Sequence, residues 1–186
     1  MAFYRDRAER IRELLEKATI ASPLTDAEAS EEPTLFPAWD KMLGHEFTSE
    51  EVAKRPRIEY KGNDVAIIAT GIMVDMAVEA AEMLKAEGIS ARVINIHTIK
   101  PIDREIIVKA AKETGAILTA EEHNVIGGLG SAVAEVVCEE CPVPVVRLGV
   151  EDTFGRSGKV PALLELYGLT KENIVAKAKK ALELKK

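Results

Sequence analysis

The stretch Ala120 to Val133, AEEHNVIGGLGSAV, sets two carboxylates, a histidine and three glycines together where an apolar run gives way to a helical pattern. Glu121 and Glu122 beside His123 have the makings of an acid/base set, because a carboxylate next to an imidazole tunes its pKa near neutrality. Gly127, Gly128 and Gly130 open the following helix, and the free amides of a helix N-terminus hold anions such as phosphate. A hydrogen-bonded corner at a sheet edge or an interface calls for the same residues, and that reading outweighs catalysis, since glycines supply positive φ and close backbone approach with or without a ligand. A second group, His97, Lys100 and Asp103 in HTIKPID, offers the same choice. There Pro101 takes the chain out of its strand and Asp103 is placed to cap the next helix, which favours structure over chemistry.

Neither glycine-rich stretch fits a nucleotide fingerprint. The dinucleotide pattern would need glycine at 133, where the sequence has Val133, and it belongs to the first strand–helix turn rather than the third. In GRSGKV the phosphate-loop pattern fails because Thr153 stands where a glycine is required and Val160 follows Lys159. Cys138 and Cys141 have the spacing of a zinc half-site, yet His45, His97 and His123 lie in unrelated contexts and no metal site is expected. The pair sits where a helix ends before Pro142, so the dipole does not activate a thiol, and both cysteines are read as small apolar residues.

The elements that must position these residues follow from hydrophobic periodicity. From Asn63 onward, DVAIIAT reads as a strand covered on both faces, and Met76, Ala77, Ala80, Ala81 and Leu84 then fall on one helical side with Gly88 as C-terminal cap. ARVINIHT is a second strand, followed by a helix with Asp103 as N-cap, Ile106, Ile107, Ala110 and Ala111 inward, and Gly115 as stop. AILTAEE, GSAVAEVVCEE and VPVVRLGV continue as strand, helix and strand. A last helical region from Val160 is interrupted near Gly168 and restarts at Thr170, with Ile174, Ala178, Ala181 and Leu182 on one stripe. Strands alternating with helices of ten or more residues predict a three-layer α/β/α sandwich around a mostly parallel sheet. Ligands of such sheets bind outside the carboxyl ends of the strands, which is where all the candidate residues fall.

Residues 1–62 read differently, as an amphipathic helix over Arg5 to Lys17 and then a loop-rich arm with prolines at 23, 33, 37 and 56. Its largest apolar cluster is Leu35, Phe36 and Trp39, suited to covering the domain or to self-association. A net charge of −6, a pI near 5.3 and only 4% aromatics argue against a nucleic-acid partner. No apolar run approaches the roughly 18 residues of a membrane span, so a cytoplasmic location is expected.

The order of motifs DVAIIATGIMVDMAVEAAEMLKAEGISARVINIHTIKPID, EEHNVIGGLGSAVAEVV and EDTFGRSGKVPALLELYGLT resembles the C-terminal domain of transketolases, above all the split two-subunit type. The resemblance covers about Asn63 to Lys186 and implies a five-stranded sheet with one antiparallel strand. It also implies an enzyme family that transfers two-carbon ketol units using thiamine diphosphate and magnesium, held between two other domains. Their Gly-Asp-Gly metal motif is absent from this chain. No catalytic, cofactor or metal residue therefore carries over. What carries over is the corner of Glu121, Glu122, His123, Gly127, Gly128 and Gly130, and the corner of His97, Lys100 and Asp103, as interface or site-edge groups. The expectation is a domain that supports assembly, as a homodimer or with a missing N-terminal transketolase subunit. An arm outside the family pattern suggests a truncated or chimeric chain. The alternative is a free-standing domain that binds a phosphate or nucleotide at the N-terminus of the Gly127–Gly130 helix.

Overall fold

The computed structural model describes residues 59–185. Five strands form one sheet in the order β1-β3-β2-β4-β5. They are β1 (Glu59–Tyr60), β2 (Val65–Ala69), β3 (Ala91–Asn95), β4 (Ile117–Asn124) and β5 (Val145–Val150). The last four run parallel, with Val65 opposite Ala91, Ala66 opposite Ile117 and Ile117 opposite Val145. The helices are α1 (Met73–Ala86), α2 (Arg104–Thr114), α3 (Leu129–Glu140), α4 (Val160–Leu166) and α5 (Lys171–Glu183).

Parallel strands need crossovers, and the crossovers cover both faces of the sheet. Every residue of β2 is buried, which is why VAIIA is apolar throughout instead of alternating. Ala66, Ile68, Ile94 and Ile117 pack with Ile107, Ala110 and Ala111 of α2 and with Leu129, Val133, Val136 and Val137 of α3. The intervening strand residues turn to the opposite face, where α1 and α5 lie against each other and against the sheet. Lys171 of α5 ties the two by an ion pair to Glu79 of α1 at 2.8 Å.

The helix boundaries come from short-range chemistry. Asp103 accepts a hydrogen bond from the Ile106 amide at 3.1 Å and starts α2, which ends at Gly115 in the left-handed region with φ 68°. Thr170 accepts from the Asn173 amide and starts α5, after Gly168 has broken the preceding helix at φ 66°. These ends agree with the sequence reading. The Lys100–Pro101 peptide ahead of α2 is cis.

The fifth strand is β1, antiparallel to β3 and lying ahead of Asn63, where the regular alternation in the sequence begins. Two residues are too short to show a period, so no pattern marks them. A Cβ on Gly62 would lie 2.2 Å from the Ala91 carbonyl carbon, so only glycine lets the chain turn this close to β3. Arg92 on β3 donates to the Gly62 carbonyl at 3.2 Å and pairs with Glu113 of α2 at 2.5 Å. Tyr60 reaches α1, donating to Glu82 at 2.5 Å.

Among the described residues, no helix is long and apolar enough to cross a membrane. The helix over Arg5 to Lys17 and the Leu35, Phe36 and Trp39 cluster lie outside the described residues.

Candidate functional site at the carboxyl edge of the sheet

Because β2 to β5 are parallel, the segments that follow them emerge at one edge of the sheet. The chain leaves β2 for α1 on one face and β4 for α3 on the other, so a topological switch point falls between two neighbouring strands. Gly71, at φ 59°, lies on one side of it and Glu122 on the other, with a Glu122 carboxylate oxygen 3.2 Å from where a Cβ on Gly71 would sit.

Ile117, Thr119 and Glu121 alternate toward the α3 face of β4. Glu121 is 1% exposed, and its two carboxylate oxygens accept from the amides of Leu129 at 2.7 Å and Gly130 at 2.8 Å. These are first-turn amides of α3, which otherwise lack a partner at any helix N-terminus. The N-cap position is Gly128 and supplies no side chain. The anion at this helix N-terminus is therefore the chain's own carboxylate, favoured there by the amide dipoles.

The glycines follow from that contact. A Cβ on Gly128 would stand 1.9 Å from Glu121 Oε2, and one on Gly130 would stand 2.7 Å from Thr119 Oγ1 and 2.8 Å from Arg147 Cδ. At Gly130, α3 thus passes close to both β4 and β5. Gly127 turns the chain at φ 78° with no neighbour in the way. Arg147 donates to the Val125 carbonyl at 2.8 Å and fastens the loop that precedes α3. Thr119 Oγ1 is buried without a hydrogen-bond partner among the described residues.

The three-residue acid/base set does not form as a unit, because Glu121 turns inward to α3 while Glu122 and His123 are exposed. His123 Nδ1 donates to the Asn124 carbonyl at 3.1 Å. His97 is exposed and shares a 2.8 Å hydrogen bond with Thr98, and Lys100 is exposed beside it in the chain. Asp103 is occupied as a helix cap.

The residue that sequence reasoning passed over here is Arg104. It bridges α2 to the end of α3, holding Glu139 and Glu140 at 2.6 Å each, and these two carboxylates raise its pKa above the ordinary value. Cys141 is half-buried and packs beside the core, as expected of a small apolar residue, whereas Cys138 is exposed. An i,i+3 pair on a three-turn helix faces only partly inward, which separates the two.

A family model for the transketolase C-terminal domain matches residues 55–174, a span that includes β1. The 6-deoxy-6-sulfo-D-fructose transketolase subunit of Clostridium sp. (strain MSTE9) is 52% identical over 125 residues, 67% of this chain and 39% of that protein. An apulose-4-phosphate transketolase subunit of Phocaeicola vulgatus is 46% identical over the same length, again 67% of this chain and 39% of its own. The chain thus spans about two fifths of the length of these curated relatives.

Among solved structures, a split gene transketolase described as an inactive beta4 tetramer matches at 60% identity and a TM-score of 0.66. That match covers 68% of this chain and 42% of the other. The transketolase of Pichia stipitis shares the fold, with a TM-score of 0.51 at 22% identity over 69% of this chain and 18% of its own. A parallel sheet read in the right motif order, a glycine corner closed on its own glutamate and a family match over most of the sequence lead to one assignment: this chain belongs to the transketolase family through its C-terminal domain.

Proposed function

We propose that this chain acts as the C-terminal portion of a transketolase-like, thiamine-diphosphate-dependent enzyme, serving assembly and not carrying a complete active site. The observation that carries the reading is Glu121. The glycine-rich start of α3 at the carboxyl edge of the sheet has its Leu129 and Gly130 amides taken by an internal carboxylate. A diphosphate would have to displace a buried anion from it, so this corner does not fit the cofactor. The same contact argues against the alternative of a phosphate or nucleotide bound at Gly127–Gly130.

Glu122, His123, His97 and Lys100 remain exposed at that edge, as groups that meet another domain or subunit would be. Relatives named as transketolase subunits support a partner that supplies the cofactor-binding domains. The proposed partner is such an N-terminal subunit or domain, and the resulting activity is ketol transfer.

A domain exchange tests this. Replacing the matched C-terminal section of the Phocaeicola protein with residues 59–186 of this chain should give a protein that assembles and transfers ketol units like its parent. Loss of assembly, with the exchanged domain folded by circular dichroism, would contradict the proposal.

A further inference from the structure

The end of α3 carries the chain's two cysteines, Cys138 and Cys141, with Glu139 and Glu140 between them. Packing accounts for Cys141, which is half-buried against the core, but not for Cys138, which is exposed. Residues three apart on a helix are surface neighbours, and the helical rise and radius set their Cα atoms about 5 Å apart. That spacing applies here, because the Cys141 amide still donates to the Val137 carbonyl at 3.1 Å. It falls within the range of about 4.4 to 6.8 Å that a disulfide spans. The helix ends at Cys141, with φ −157° and ψ 82°, so that side chain is not tied to a helical direction.

The two residues enclosed by the pair are the ones that tie α3 to α2. Glu139 and Glu140 each accept a hydrogen bond from Arg104 at 2.6 Å. In a regular turn, side chains at i and i+3 stand about 5 to 6 Å apart at Cβ, whereas a disulfide needs about 3.5 to 4.5 Å. Closing the bond therefore tightens the turn and shifts its carboxylates relative to Arg104. The ion pairs and the bond thus compete for the conformation of one turn.

We propose that Cys138 and Cys141 form a redox-sensitive dithiol that closes into a disulfide within the chain and, in closing, weakens the Arg104 tie between α2 and α3. The oxidant is a small-molecule disulfide. Exposed Cys138, as the thiolate, attacks one sulfur of the oxidant and expels the other as a thiolate, leaving a mixed disulfide. Cys141 then attacks the Cys138 sulfur and expels the second thiolate. Two electrons pass from the cysteine pair to the oxidant, and the two cysteine protons end on the two released thiols. The response is set by equilibrium, so it does not require the helix N-terminus that activates catalytic thiols.

The test equilibrates the full chain in mixtures of reduced and oxidised glutathione, with circular dichroism confirming the native fold at each point. Acid quenching, alkylation of free thiols and mass spectrometry of the intact and digested chain then read the products. With two cysteines in the sequence, every product is assignable. The wild type should lose both thiols together, as a single-chain species lighter by two hydrogens, at a glutathione ratio that does not depend on protein concentration. Cys141→Ser should stop at a glutathione adduct on Cys138. Arg104→Met should shift the equilibrium toward the disulfide by about three- to fivefold, the size that release of exposed ion pairs supports. A wild type that keeps both thiols in oxidised glutathione alone, stops at the adduct, or joins two chains would overturn the dithiol. A disulfide whose equilibrium is the same in Arg104→Met would overturn its coupling to the α2–α3 tie.

Discussion

Glu121 explains more of this domain than any other side chain, since it is buried, it closes α3 on β4, and it dictates the glycine at 128. Removing it strands two buried amides, and an unsatisfied buried donor costs far more than a hydrogen bond contributes when made. Glu121→Ala should therefore cost about 3 kcal/mol of stability, and Glu121→Gln about 2 because its amide nitrogen faces a backbone N–H. Gly128→Ala should cost as much as Glu121→Ala, by displacing the carboxylate 1.9 Å from its new Cβ. In the Glu121→Ala background it should cost far less, a coupling that urea denaturation of the four proteins reads directly. Additive losses would contradict the account. Thr119 makes the opposite prediction. Its hydroxyl is buried without a partner among the described residues, so Thr119→Val should be neutral or stabilising by about 1 kcal/mol in the same assay, and a loss of that size would show an unseen partner.

At the scale of elements, much was legible because the signals are local. Asp103 three residues before Ile106, Gly115 after an amphipathic run and Thr170 after Gly168 announce helix ends through chemistry within four residues. Glu121 was not legible as a cap because its partners lie eight and nine residues on, across a turn that only the fold closes. One signal was present: a helix that opens on glycines with no Ser, Thr, Asp or Asn needs its acceptor from elsewhere, and an acidic residue ends the strand before it. Arg104 escaped for the same reason, its partners lying 35 and 36 residues away.

β1 escaped for want of length, and the bond that anchors it supplies a test. The Tyr60 hydroxyl donates to Glu82, and that hydrogen bond, together with burial, raises its pKa above the ordinary 10.0. The protonated phenol is the form that bonds, so the contribution is complete below the unfolded value near 10 and lost as pH rises through the higher folded one. An ultraviolet titration of wild type against Tyr60→Phe should show the missing ionisation displaced to higher pH than that of an ordinary tyrosine. An ordinary midpoint would mean that β1 is not held to α1 in this way.

At the scale of the whole molecule, the carboxyl edge of the sheet, where parallel-sheet proteins bind their ligands, is here half sealed and half bare. Glu121 fills the helix start, while Glu122, His123, His97 and the segment around Phe154 face outward. That division fits a domain that completes an enzyme and leaves the cofactor to other domains. It also explains why the glycine corner carries a motif without reading as a phosphate site, since Glu121 takes the Leu129 and Gly130 amides. The most direct test of this central claim is calorimetric titration of thiamine diphosphate with magnesium into the purified chain, alone and after mixing with the N-terminal section of a split transketolase. The account predicts no saturable heat from the chain alone and saturable binding in the mixture; saturable binding by the chain alone would contradict it.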